Sequence, residues 1–203
     1  MRSASFGLLF CLVFSGEADA LGAGTAPDAS GLLDPITMGK MIDLVGHDVV
    51  QLMVSNQNRK YESLQEDEIK LLDEQWVQER ARTDQPLVAA TLSNPLSAYL
   101  TRIQAESRGA ILEVIVMDRY GLNVGQSQIT SDYWQGDEAK FQKTFLVGTD
   151  AVFVDEAEWN SEYGIWHTQL NFTLSHPETG QPIGAATIEV NLTELTRRQQ
   201  FAQ

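Results

Sequence analysis

The chain has 203 residues, with 28 acidic side chains against 14 basic ones, a formal net charge of −14 and a single cysteine. That charge repels nucleic-acid phosphates and anionic headgroups, so nucleic-acid binding is not expected. One cysteine excludes a disulfide framework within the chain, and the length suits one domain better than two.

Met1-Arg2, the apolar run from Phe6 to Phe14 and the small-residue step Ala18-Asp19-Ala20 have the order of a secretory signal. The reading is a signal peptide over residues 1–20, cleaved after Ala20, with a periplasmic destination. Cys11 lies inside the removed part, and Phe10 before it argues against a lipid anchor. The run is shorter than the roughly 20 apolar residues a membrane helix needs, so no direct membrane insertion is expected after cleavage. Residues 21–33, rich in Gly, Ala, Thr and Ser without hydrophobic period, read as a flexible leader. A single domain over 34–195 and a polar tail over 196–203 complete the expected organisation.

Asp34-Pro35 pairs a helix cap with proline at the first helical position. Met38, Ile42, Val45, Val49 and Leu52 then follow steps of three and four, which predicts one long amphipathic helix packed on a sheet. Ser63 and Glu66 have capping-box spacing ahead of Ile69, Leu72 and Trp76, predicting a second helix. A third opens at Asn94-Pro95 and closes at Gly109.

Beyond Gly109 the period drops to two. Ile111 to Met117 predicts a buried strand, Asp118-Arg119-Tyr120-Gly121 a turn, and Leu122 to Val124 the returning strand of a hairpin. Residues 136–145 start with acids and place Phe141 and Phe145 on one face, predicting a short helix across the sheet. Residues 151–155, 165–175 and 183–192 have strand chemistry, for about five strands in all. Within the second of these, Trp166, Thr168, Leu170, Phe172 and Leu174 share one face, and His167, Gln169, Asn171 and Thr173 share the other. One face meets core; the other meets water or ligand.

Three segments occur in a telling order: Val114-Ile115-Val116-Met117-Asp118-Arg119-Tyr120-Gly121-Leu122-Asn123-Val124, then Thr130-Ser131-Asp132-Tyr133-Trp134-Gln135-Gly136-Asp137-Glu138, then Thr179-Gly180-Gln181-Pro182-Ile183-Gly184. Together they resemble the Cache family of extracellular sensor domains. That resemblance implies an α+β fold: a PAS-like antiparallel sheet with a long N-terminal helix on one face and short helices and loops on the other, over a small bound solute. It also implies a receptor of organic acids, amino acids or amines. The Arg-x-Trp-Tyr pattern of many amino-acid-binding relatives is missing after Gly136, where acids and lysines stand instead. A freestanding module that signals through a membrane receptor or another periplasmic protein is the form expected here.

The candidate ligand-binding residues are Asp118, Tyr120, Asp132, Tyr133, Trp134, Tyr163 and Trp166. Aromatic rings with polar handles suit a small pocket, and ring faces beside an acid suit a cationic or amine ligand. Asp118 also fits a plain turn cap, and Trp166 also fits core. His47, His167 and His176 have no metal-ligand spacing, and Asp155, Glu156 and Glu158 read as a solvated acidic loop, so neither metal nor cofactor is expected. No nucleophile motif or phosphate loop occurs, and an enzyme ranks third. A ligand-free interaction module ranks second.

Overall fold

In the computed structural model, which describes residues 24–202, an antiparallel sheet forms from β1 (Ile111–Asp118), β2 (Asn123–Gln126), β3 (Val152–Val154), β4 (Glu158–Asn160), β5 (Ile165–Ser175) and β6 (Pro182–Asn191). The strand order is β2-β1-β6-β5-β3, and β4 pairs with β5 beside β3. The expected signal segment, its cleavage point and Cys11 lie outside the described residues. The fold is α+β, as the alternating periods predict. No helix among the described residues is long and apolar enough to cross a membrane.

One sheet face carries the main core. Val114, Val116, Leu170, Phe172, Leu174, Ala186, Ile188 and Val190 pack against the helices α2 (Pro35–Val45), α3 (Asp48–Lys60) and α6 (Pro95–Glu106) through Met41, Val45, Val50, Val54, Leu96, Leu100 and Ile103. Each fully buried Leu or Val there contributes roughly 1.5–3 kcal/mol by leaving water. Gly125 is required by this packing, because a Cβ there would stand 2.7 Å from the Leu96 side chain.

The long N-terminal helix is broken. The Gly46 N–H turns back to the Asp43 carbonyl, and His47 takes extended backbone before Asp48 starts α3. The stripe of periodic residues continues across this break, which hid it in the sequence. At the start of α2 the Asp34 carboxylate accepts from the Thr37 N–H at 2.7 Å. Replacing Asp34 with alanine is expected to cost about 1 kcal/mol in urea denaturation; an unchanged midpoint would mean that Pro35 alone fixes the helix start.

Further boundaries move. Helix α4 is Glu66–Arg80, and its N-cap is Gln65, whose N–H donates to Glu68 at 2.8 Å, instead of Ser63. Helix α5 (Pro86–Leu92) follows, with proline again in its first turn. The expected leader ends in a short helix α1 (Ala29–Leu32), because Leu32 and Leu33 are apolar enough to be buried. The expected tail is the continuation of an amphipathic helix α8 (Leu192–Ala202), in which Glu194 holds Arg197 and Arg198 at 2.7 and 2.8 Å. The acidic stretch at 155–158 gives way to β4, whose Trp159 pairs with Trp166 at a ring separation of 5.6 Å.

Candidate functional site

The second sheet face is polar although largely covered. Facing side chains come from β1 (Glu113, Ile115, Met117), β6 (Ala185, Thr187, Glu189) and β5 (His167, Gln169, Asn171, Thr173), in a register that sets Glu113 opposite Glu189 and Glu189 opposite Gln169. The short helix α7 (Ala139–Gln142) lies over part of it, with Phe141 and Phe145 stacked at 5.0 Å against Ile115, Met117 and Ala185. Beside them Lys140 is buried, its Nζ 3.1 Å from both Gln135 Oε1 and Glu138 Oε2. Asn171 Oδ1 accepts from Thr187 Oγ1 at 2.7 Å. Gln126 Nε2 and Thr173 Oγ1 are buried without a hydrogen-bond partner among the described residues. Buried polar groups are ordinarily satisfied, so such a layer marks a place where a ligand or water completes the bonding.

At one end of this face a groove of about 680 Å³ opens between the end of α6 and the β4–β5 hairpin. Its walls include Gln104, Ile111, Glu113, Gln128, Tyr163 and Glu189. Glu113 is partly buried, and no hydrogen bond or ion pair joins its carboxylate to another described residue. Burial first, then repulsion by Glu189, pushes its carboxyl up to about 7, and Lys140 only partly offsets this. Glu189 is better placed, with Oε1 2.8 Å from His167 Nδ1. A strongly raised carboxyl in a groove makes Glu113 a candidate functional group.

The seven candidates from the sequence divide into two groups. Asp118, Tyr120, Asp132, Tyr133 and Trp134 come together around the β1–β2 turn. There Asp118 is fully buried, and its carboxylate accepts from the Tyr120 N–H at 2.8 Å, the Leu122 N–H at 3.0 Å and Gln57 Nε2 at 2.9 Å. Burial outweighs these bonds and holds its carboxyl above the usual range. Tyr120 donates its hydroxyl to the Glu62 carbonyl at 3.1 Å, and Trp134 donates Nε1 to the Tyr120 carbonyl at 2.7 Å.

Tyr133 is buried against Trp76 at 5.4 Å, within a cluster that includes Ile69, Val88 and Leu122; burial drives its hydroxyl far above its ordinary value. Asp132 lies half-buried, its carboxylate accepting from Ser131 Oγ at 2.8 Å while its carbonyl takes Asn123, Thr130 and Gln135. The whole loop is tied to α4 by Asp73, which accepts from the Tyr133 and Trp134 N–H groups at 2.8 and 3.0 Å. The interior beneath Tyr133 is therefore filled by side chains. Tyr163 and Trp166 belong to the other group: Tyr163, 69% exposed, lines the Glu113 groove, and Trp166 is half-buried in the same β4–β5 hairpin, paired with Trp159.

Sequence reasoning missed Glu113, Glu189, Lys140 and Gln126. For Glu189 the signal was the polar alternation opposite the core face, visible in β5 and present in part in β6; Glu113 stands among the apolar residues of β1, and Lys140 on α7 and Gln126 on β2 carried no such signal.

No protein-family model matches the chain, and no curated protein matches it. Solved structures do. The ligand-binding domain of the Pseudomonas aeruginosa PAO1 amino-acid chemoreceptor PctC, in complex with GABA, is 18% identical, with 78% of this chain and 63% of that one covered and a TM-score of 0.37. The sensory domain of the Campylobacter jejuni chemoreceptor Tlp3 is 13% identical over 83% of this chain and 65% of its own, at a TM-score of 0.40. The sensor domain of the V. cholerae histidine kinase DctB is 10% identical over 80% and 58%, at 0.36. The chain spans less than two thirds of each of these three domains, and at these values the similarity is one of fold alone.

Proposed function

We propose that the chain is a periplasmic small-ligand sensing module of the Cache kind, which signals through a separate partner protein, and that its ligand carries a positive charge. The observation that carries this reading is the partnerless Glu113 beside Glu189 in a groove whose mouth presents the Tyr163 ring. An ammonium or guanidinium set between the two carboxylates removes their repulsion, and a tyrosine face adds roughly 0.5–2 kcal/mol of cation–π attraction. The Cache-like order of segments and an antiparallel sheet with helices on one face support the same reading. On this proposal Tyr163 is the sequence candidate nearest the ligand, Trp166 braces the hairpin that carries it, and the residues of the β1–β2 turn hold the sheet end in place.

Thermal unfolding of the purified protein with putrescine and with agmatine tests it at pH 8, where Glu113 is charged. A cation at one hundred times its Kd stabilises the folded state by about 2.7 kcal/mol, and both Glu113→Gln and Glu189→Gln are expected to remove that gain. The sensing reading fails if no amine, organic acid or amino acid raises Tm. A second reading, docking on a partner protein without ligand, is favoured by the filled interior beneath Tyr133. Co-purification of a partner from the host, combined with silence in the solute screen, selects it.

A further inference from the structure

At the opposite end of the strands, a second groove of about 650 Å³ lies between α3 and the β5–β6 turn, lined by Asp48, Gln51, Arg59, Arg119, His176 and Glu178 among others. Six residue steps, along β1 and into its turn, separate Arg119 from Glu113, about 20 Å, so the two grooves are distinct.

We infer that this groove is an anion site, in which Arg59, Arg119 and His176 hold the oxyanion of a small solute, either a carboxylate or a phosphate. Arg119 is positioned in advance. Its backbone N–H donates to Asn58 Oδ1 at 3.0 Å and its Nη2 to the Asn58 carbonyl at 3.1 Å. Asn58 is itself only 6% exposed and donates Nδ2 to the Ile183 carbonyl at 2.7 Å. One guanidinium edge is thereby fixed, and its remaining donors stay free for a ligand. Arg59 lines the same groove from α3, with a single side-chain bond, to Asn56 Oδ1 on its own helix.

Neither arginine forms an ion pair with a described carboxylate, in a chain with two acids for every base. His176 Nδ1 accepts from the Glu178 N–H at 3.2 Å, which makes Nε2 the hydrogen-bearing nitrogen of the neutral ring and a third donor. Among the groove residues Gln51 Oε1 is buried with no hydrogen-bond partner, an acceptor waiting for a ligand N–H or hydroxyl. Asp48 and Glu178 on the same walls repel an extended polyanion and confine the fit to a compact one. Planar guanidinium donors match the two oxygens of a carboxylate or phosphate.

The experiment is a titration of the intact ¹⁵N-labelled protein with succinate in one arm and inorganic phosphate in the other, at ionic strength held constant with sodium chloride. The arginine Nε–H signals report it. Saturable shifts of two arginine signals are expected, with at least tenfold weaker binding in both Arg59→Gln and Arg119→Gln and unchanged binding in Glu113→Gln. The arm that saturates at lower concentration identifies the oxyanion. Should Arg119→Gln weaken folding through its loss of Asn58, the exposed Arg59→Gln carries the test alone. Responses that are linear and equal in both arms overturn the inference, as does wild-type affinity in Arg59→Gln.

Discussion

Glu113→Gln is expected to stabilise the protein by about 3 kcal/mol at pH 8 and to leave it unchanged near pH 4. The Glu113 carboxyl ionises at about 7 in the folded chain against 4.5 for an ordinary glutamate. A folded value raised in this way means that folding takes up a proton. The contribution to stability is complete below about pH 4.5 and disappears as the pH rises through about 7. At 1.36 kcal/mol per pKa unit the charged side chain then costs the fold about 3 kcal/mol, which glutamine avoids. Facing groups enter the same balance: Glu189 and, through it, His167 from β6 and β5, with Lys140 and Glu138 from α7. Urea denaturation of wild type and variant at pH 4 and pH 8 reads the difference directly. Equal gains at both pH values would mean that glutamine merely packs better, and a loss at pH 8 would mean that the carboxylate has a stabilising partner. A residue whose replacement strengthens the fold while removing ligand binding is what a site held against stability looks like.

Asp118→Ala has the opposite sign and a larger effect, a loss of about 3 to 5 kcal/mol. The substitution leaves the Tyr120 and Leu122 N–H groups without an acceptor in the turn and frees Gln57, whose Nε2 ties α3 to the sheet. Each buried donor left unmade costs roughly 1–3 kcal/mol. Asp118→Asn is milder, since one oxygen still serves the turn while the new amide faces a second donor in Gln57. Denaturant midpoints and near-ultraviolet circular dichroism measure the series. A wild-type midpoint for Asp118→Ala would remove its structural role and return the carboxylate to the list of ligand groups.

Much of the fold is legible in the residues themselves. Proline after Asp34 and Asn94, the shift to period two after Gly109 and the left-handed Gly121, at a φ of 82°, each follow from local chemistry. Gly121 is doubly constrained, since a Cβ there would meet the Gly136 backbone at 2.7 Å. The break at Gly46 is illegible because the apolar spacing runs on through it, and β4 because its three residues, Glu158-Trp159-Asn160, gain strand structure only by pairing with β5. The site is harder still. Glu113 and Glu189 lie 76 positions apart in the chain and meet only through the register of β1 on β6. The aromatic pair at 133 and 134 suits a small pocket by its chemistry, yet Trp76 and Asp73, which no local pattern links to it, fill and anchor the space beneath.

The outer border of the sheet is divided, with β3 and β4 each covering three residues of β5 and a gap at 155–157 between them. An incoming chain that tried to zip onto that border would find exposed backbone donors only in short, interrupted runs, and β2 at the far border is four residues long. Growth of the sheet by stacking copies edge to edge is therefore blocked at both margins, and concentrated solutions are expected to form fibrils only after the chain has first unfolded.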